Sequence, residues 1–360
     1  MYLKYIKLDN SVNEKLYNDA LAKIGGKHPQ YELSYLDIFD HNIEKLSCFI
    51  FENDLGEVLI ILPGYLRTIN FDAGNGQPLF DFTSPYGYSG PLFAGQVTDA
   101  DITMFWQQLN NWFIANNVIT AFIRFSLNEN YRHFNGTLVN TLSNVKGTII
   151  GEEQQWMNFD HKVRKNVNKA KREGLHTKIF YDNIDDQVIA QFYDIYIDTM
   201  RRTNAKEHFF YSIQQFTTYV NNNEGLCLIA LIFFEDKAVS AELILISDDS
   251  IYSFLGGTLS EYFDKRPNDL LKHEAINWAR SNNVSYYILG GGYGKDDGIF
   301  NYKKSFFPND VVVYYTGRSV ISPAIYEKLF YLNNTERKEK GLDELSITDN
   351  SFFPIYRNIN

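Results

Sequence analysis

Residue types able to do chemistry concentrate in one stretch, Gly290-Gly291-Gly292-Tyr293-Gly294-x2-Asp297-Gly298-x3-Tyr302-Lys303-x2-Phe306. Glycine is favoured where backbone must approach another group closely or take a positive φ. Four glycines in five positions can be no more than a flexible turn, and a GxG element alone is a weak signal for phosphate. Followed by a lysine at the start of a helix, the run reads instead as part of a site, with Gly291 and Gly292 close to substrate. Asp297, beside the glycines, is the first choice for a general base. Glu242 and Tyr252 stand behind it as groups able to take a proton from an attacking amine, and Tyr252 is also a candidate substrate contact.

Three further groups carry polar or aromatic chemistry. Tyr196-x2-Thr199-Met200-x-Arg202 places an arginine, a bidentate ligand for carboxylate or phosphate, at the end of a helix-like stretch. Asp81-Phe82-Thr83-Ser84-Pro85-Tyr86-Gly87-Tyr88-Ser89-Gly90-Pro91 is too rich in Gly and Pro for a regular strand and too aromatic for an ordinary solvent loop. Tyr86 and Tyr88 either wall a cleft and bind a sugar or peptide or pack within their own loop, and Arg67 is a weaker polar candidate nearby. KVRKNVNKAKREG sets Val163, Val167 and Ala170 on one helical face against Lys165, Lys169 and Arg172 on the other. That cationic face is solvated surface or a contact for phosphate, including tRNA.

Other chemistries find no support. The seven His are scattered without metal-ligand spacing, so no metal ligands are assigned, and neither a GxSxG elbow nor a P-loop GxxxxGK[ST] occurs. The net charge is -10, but His161 to Gly174 holds six Lys/Arg against one Glu, +5, leaving -15 elsewhere. Such a balance argues against DNA as a partner, and any polyanion must meet the basic helix. Cys48 and Cys227 lie in the apolar runs SCFIF and LCLIALIFF and read as buried, reduced thiols. The opening MYLKYIKLDN has no signal-like apolar core, and runs such as Val58 to Leu62 are too short to span a bilayer. We expect a cytoplasmic protein without a membrane span.

The elements that must hold these residues show an internal echo. Asn111-Trp112-x3-Asn116-Asn117-Val118 recurs 166 residues later as Asn277-Trp278-x3-Asn282-Asn283-Val284. In each copy a helix-period segment, Ile102 to Asn116 or Asn268 to Asn282, runs into a β-rich stretch, AFIRF or YYILG. Hairpin-like pairs of apolar runs precede both, and the second grows into a three-strand meander through IYSFLGG. The second half therefore reads β (177–181), α (186–203), meander, α (268–282), β (286–289), short helix (300–306), β (311–316). This is an α/β chain with mixed sheets. We place one domain at 1–155, with residues 320–360 docked on it, and a second at 156–319.

With these motifs in place, the chain resembles the FemAB/FemX-like branch of the GNAT superfamily over nearly its whole length. GGG-x-G-x-x-DG…[FY]-K-x-x-F looks like that family's signature, and the loop SPYGYSGP is similar to its SPYGYGGP loop. The resemblance implies two tandem GNAT-like acyl-CoA N-acyltransferase folds and transfer of an acyl or aminoacyl group to an amine of a cell-wall or surface-glycan precursor. It implies that Lys303 stabilises the oxyanion with Tyr302 beside it as a further catalytic residue, and that Arg202 contacts the phosphates of a nucleotide-linked sugar or muropeptide-type acceptor. No cofactor is expected to bind tightly; the donor is aminoacyl-tRNA or acyl-CoA. Three departures bear on these roles. Thr203-Asn204-Ala205 follows the arginine where the family tends to have Asp-Gly-Phe, and no lysine occurs in His28 to Phe39. The turns SEYFDKRPND and GQVTDAD lack the glycine-rich pyrophosphate cradle of CoA-binding members. An acyl-CoA-dependent N-acyltransferase of amino sugars and a non-catalytic GNAT-like binding module therefore stand as alternatives.

Overall fold

The computed structural model describes residues 1–40, 45–71, 76–294, 297–348 and 351–358. Met1–Gly25, Asn42–Thr141 and Tyr314–Asn360 form one compact unit, and Gly26–His41 with Leu142–Val313 form another. The division expected at 155 lies at 141. Gly26–His41, expected in the first domain, belongs to the second because its aromatic side chains are buried there: Phe39 packs against Tyr211, Tyr219 and Phe254.

The chain opens with β1 (Tyr2–Lys7) and α1 (Ser11–Ile24) in the first unit and α2 (Leu33–Phe39) in the second. The first unit resumes with β2 (Ser47–Glu52), β3 (Val58–Ile69), β4 (Leu79–Thr83), β5 (Leu92–Phe93), α3 (Asp99–Ala115) and β6 (Val118–Arg124). Strand β7 (Thr137–Thr148) passes into the second unit, followed by α4 (Glu152–Asn158), α5 (His161–Arg172), β8 (Leu175–Tyr181), α6 (Asp186–Arg202) and α7 (Ile213–Asn222). Then come β9 (Cys227–Phe234), β10 (Lys237–Ile246), β11 (Ser250–Thr258), α8 (Pro267–Ser281), β12 (Tyr286–Gly290) and α9 (Gly298–Lys304). Strand β13 (Val311–Val320) returns to the first unit, which α10 (Pro323–Glu339) completes.

The two units repeat one pattern of pairing. In the first, β1 to β4 form an antiparallel series, β4 lies parallel to β6, and β13 runs antiparallel against β6. In the second, β8 to β11 form the series, β11 lies parallel to β12, and β7 runs antiparallel against β12. Each unit thus receives its last strand from the chain that follows the other unit's helix-to-strand crossover.

The echoed Asn-Asn pair proves to be a stop signal for the crossover helix. Asn116 and Asn282 cap α3 and α8, and each side-chain amide donates to the carbonyl four residues back, Trp112 or Trp278, at 2.8 Å. Asn117 and Asn283 then take φ of 55° and 58°, a left-handed turn that Asn adopts more readily than other side chains.

Packing follows from the apolar faces. In the second unit, Leu271, Ala275, Ile276 and Ala279 of α8 are fully buried and join Val163, Val167 and Ala170 of α5 over Leu228, Ala230 and Ile232 of β9. The expected apolar face of α5 is therefore the one that docks. Both cysteines are buried free thiols, and burial raises Cys227 to about 12.

Candidate active site

The site of the second unit begins where two neighbouring strands part. β11 and β12 are paired only from Ser250–Tyr286 to Tyr252–Ile288. Just beyond, Phe254 bulges out of β11, since Ile244 faces Ser253 while Leu243 faces Leu255. Leu289 does the same in β12, where Ile288 faces Lys146 and Gly290 faces Val145. Bulges bend strands and re-aim side chains, so a mouth opens between Ser253 and the glycine run.

That run needs its glycines. A Cβ on Gly291 would lie 2.9 Å from the Ser143 carbonyl, and one on Gly292 would fall within 2.5 Å of three atoms of the Asp297 carboxyl group. Asp297 is the reason for the second closeness: it is the N-cap of α9 and accepts from the backbone N–H of Tyr293 (2.6 Å), Gly294 (3.1 Å) and Phe300 (2.8 Å). These donors hold its pKa below the usual carboxylate value. The residue expected to be the general base is a clasp that folds the glycine turn onto the helix.

Helix α9 presents Tyr302 and Lys303. The Lys303 ammonium donates to the Gly291 carbonyl at 2.7 Å, so the expected lysine and glycines do meet. Burial first, then the nearby Lys272, lower its pKa to about 8, against opposing pulls from Glu242 and Asp297. The Tyr302 hydroxyl is buried and, among the described residues, has no hydrogen-bond partner. Burial, Asp269 and Glu242 all raise its pKa, so it stays a protonated donor at neutral pH.

Next to this pair lies a buried polar cluster that sequence reasoning largely missed. The Lys272 ammonium, on α8, contacts Glu242 Oε1 of β10 at 2.5 Å, Ser253 Oγ of β11 at 2.9 Å and Tyr287 OH of β12 at 3.3 Å. Tyr287 donates to the other Glu242 oxygen at 3.2 Å, and Ser253 donates to the first. Glu242 had been weighed as a base, but it is the carboxylate of an ion pair. The signal was present: Lys272, Ala275, Ile276 and Ala279 share the buried stripe of α8, and Glu242 interrupts the apolar strand KAVSAELILI.

Tyr252 is at the last position where β11 pairs with β12, and its hydroxyl bonds Ser247 and Ser250 while burial raises it to about 12. Its ring is half-buried. Arg202 ends α6, exposed, with its guanidinium 4.9 Å above the Phe263 ring and 3.5 Å from the Thr258 carbonyl. Thr199, one turn earlier, accepts from the Thr258 N–H at 3.2 Å. Thr199 and Arg202 together bracket the end of β11, five residues or about 16 Å along the strand from Ser253.

Around α8 the surface is mixed. Lys165 and Arg172 of α5 are exposed and Lys169 is half-buried, as their helical face predicts. Glu173 and Lys265 pair at 2.9 Å, and Lys171 reaches Glu274 at 3.4 Å. The first turn of α8, where a CoA-binding member holds pyrophosphate, follows Arg266 in a left-handed conformation (φ 65°) with no side-chain cap. The buried Asp269 carboxylate, bonded by Asn166 at 3.1 Å, occupies that turn.

Three candidates belong to the first unit. Arg67 is tied into the fold: its Nε is 2.6 Å from the fully buried Asp81, whose other oxygen takes Arg357 Nε at 2.7 Å and Tyr356 OH at 3.2 Å. The Tyr-rich loop is a built structure, tied by Ser89 to the Pro85 carbonyl (2.7 Å) and by Asn130 to the carbonyls of Ser89 and Pro91 (2.8 and 2.9 Å). Tyr88 packs edge-on against Tyr314 at 5.8 Å, while Tyr86 is 65% exposed under the Arg124 guanidinium.

Among the described residues no group of three or more His, Cys, Asp or Glu is arranged to hold a metal, and no helix is long and apolar enough to cross a membrane.

Residues 158–304 match the family model of the acetyltransferase (GNAT) domain. Among solved structures, FemX superposes with a TM-score of 0.61 at 11% identity, covering 91% of this chain and 99% of its own. L-PGS from Bacillus licheniformis superposes with a TM-score of 0.55 at 12% identity, covering 88% and 94%. At such identities the likeness establishes the fold. No curated protein matches the sequence.

Proposed function

We propose that this chain, a GNAT-type acyltransferase with a FemX-like fold, transfers an acyl or aminoacyl group from an activated ester or thioester to an amine of a cell-wall or surface-glycan precursor. The observation that carries the reading is the Lys303 ammonium, pinned on the Gly291 carbonyl beside the mouth between β11 and β12.

In the transfer, the amine nitrogen forms a bond to the acyl carbon, the bond from that carbon to the donor oxygen or sulfur breaks, and the proton lost by nitrogen ends on the leaving atom. Negative charge gathers on the acyl oxygen in between. A positioned, partly desolvated ammonium stabilises that charge far better than water does, which is the task assigned to Lys303. Tyr302, protonated and without a partner among the described residues, is a second donor for the same oxygen or for the leaving group.

The donor we assign is aminoacyl-tRNA. The turn before α8 has no glycine cradle, and the buried Asp269 opposes a pyrophosphate there, while Lys165, Lys169 and Arg172 offer cations for a phosphate backbone. For the acceptor, Arg202 is braced by Phe263 and Thr258 with its outer face in solvent, suited to the phosphates of a nucleotide-linked sugar or muropeptide. Its distance along β11 from the mouth favours an extended acceptor over a free amino sugar.

Thermal-shift measurements with acetyl-CoA, a UDP-linked amino sugar, a UDP-linked muramyl peptide and charged tRNA test this, because a ligand bound by the folded state raises its melting temperature. We expect shifts with the muramyl peptide and with tRNA, the former reduced in Arg202→Ala. Transfer is expected to be lost in Lys303→Ala. A shift with acetyl-CoA alone would overturn the donor assignment, and full transfer by Lys303→Ala would overturn the mechanism.

A further inference from the structure

We propose that Phe39, on the stretch Gly26–His41 that the early part of the chain contributes to the second unit, is a positioning residue: its ring holds the Phe254 bulge of β11 and so fixes the strand edge at the mouth where β11 and β12 part.

The stretch is tied down before it reaches the strand. The Lys27 backbone N–H donates to Asp248 Oδ2, in the turn between β10 and β11, at 3.0 Å, and its ammonium donates to the Gly225 carbonyl at 3.1 Å. Ser34 Oγ exchanges hydrogen bonds with the Asn223 side-chain amide at 2.7 and 3.0 Å. The end of α2 then delivers Phe39. That ring is buried and meets three others edge-on, Tyr211 at 5.0 Å, Tyr219 at 5.0 Å and Phe254 at 4.9 Å, with interplanar angles of 82°, 77° and 86°. Edge-to-face is an arrangement that the ring quadrupoles favour. Tyr35, one turn back on α2, lies 5.5 Å from Phe254.

A bulge needs something to keep its extra residue out of the ladder. Ser253 faces Ile244 and Leu255 faces Leu243, which leaves Phe254 without a partner on β10 and sets Gly256 opposite Glu242. If Phe254 slipped into the ladder, Leu255 would take the place opposite Glu242 and every later side chain would change faces. That place has little room for a side chain: a Cβ on Gly256 would lie 2.5 Å from the Ala241 carbonyl and 3.3 Å from Glu242 Cβ. Phe39 and Tyr35 give Phe254 an apolar seat off the ladder, and the register that follows sets where Ser253 and the edge of β11 beyond its pairing with β12 lie. Phe254 is itself only half-buried, so seating it adds less to the core than the buried Tyr211 and Tyr219 do; what it fixes is the strand. On the acyl-transfer reading, on which the use of the mouth rests, Phe39 acts through Phe254 and touches no reacting atom.

Amide hydrogen exchange followed by mass spectrometry needs neither acyl donor nor acceptor, so this inference and the transfer reading fail separately. In Phe39→Leu, which keeps an apolar side chain but removes the ring, peptides covering β11 are expected to exchange about two- to ten-fold faster, the range set by the loss of one edge-to-face ring pair. β9 serves as the reference and should keep its rate, because a general loss of stability would speed both strands. Transfer should fall in the same variant at a temperature where both proteins are fully folded. A folded Phe39→Leu protein whose β11 exchange is unchanged, or rises no more than that of β9, overturns the inference whatever the wild type transfers. Faster β11 exchange with undiminished transfer overturns it too. A wild type that transfers nothing sinks the reading of the site, and the exchange rates still decide whether Phe39 holds the strand. If Phe39→Leu does not fold, Phe254→Leu removes the same ring contact from its half-buried side, and the same exchange pattern is required of it.

Discussion

Replacing Lys303 by Met should make the protein more tolerant of denaturant at neutral pH, and the advantage should disappear with rising pH. In the unfolded chain this lysine titrates near 10.5; in the folded chain burial and Lys272 bring it to about 8. Below pH 8 both states hold the proton, so the cost of keeping a charge in a half-buried place is fully present. Between 8 and 10.5 the folded chain sheds a proton that the unfolded chain keeps, and wild-type stability climbs relative to the variant. Above 10.5 both are neutral and the cost has gone. The interval is worth at most about 3 kcal/mol at about 1.36 kcal/mol per pH unit, or about 2 kcal/mol after allowing for solvent around the exposed part. The variant also loses the bond to the Gly291 carbonyl, which shifts both ends of the comparison equally and leaves the pH dependence intact. Urea unfolding of both proteins from pH 7 to pH 10.5 measures it, and other titrating groups cancel in the difference. Two parallel curves would refute the reasoning, because they would mean that Lys303 titrates as an ordinary surface lysine.

Two further outcomes are expected. Asp81→Ala strands Arg67 and Arg357, which are about a quarter exposed, so the first unit should lose about 2 to 3 kcal/mol and melt roughly 5 to 10 °C lower; an unchanged calorimetric transition would contradict the assigned ion pairs. Tyr302→Phe removes a buried hydroxyl that has no hydrogen-bond partner among the described residues, so stability should hold or rise by about 1 kcal/mol while the transfer rate falls; a clear drop in stability would show that the hydroxyl has an internal partner.

The repeat illustrates what local sequence determines. Asn-Trp and Asn-Asn at matched spacing encode a helix, its cap and a left-handed exit through hydrogen bonds that reach no further than four residues. Two α/β units with helix-to-strand crossovers were therefore legible, as were the docking face of α5 and the meeting of a glycine run with Lys303. What was misjudged involved partners distant in the chain. Arg67 looked available because Arg357, 290 residues on, gave no sign of sharing Asp81 with it. Asp297 is the exception: its three backbone donors lie only three or four residues away, a local cap that the reading of it as a base passed over.

Composition and periodicity settled the crossover helices, the hairpins and the meander, since propensity, caps and apolar spacing act over a few residues. Tertiary structure alone decided which strand completes each unit, because β7 and β13 pair with strands far from their neighbours in sequence. It alone brought Glu242, Ser253, Lys272 and Tyr287 together from four elements. The charge of Lys303 belongs to the same class: a lysine's type is written in the chain, but its pKa is set by the water it loses and the ions that long-range packing places beside it.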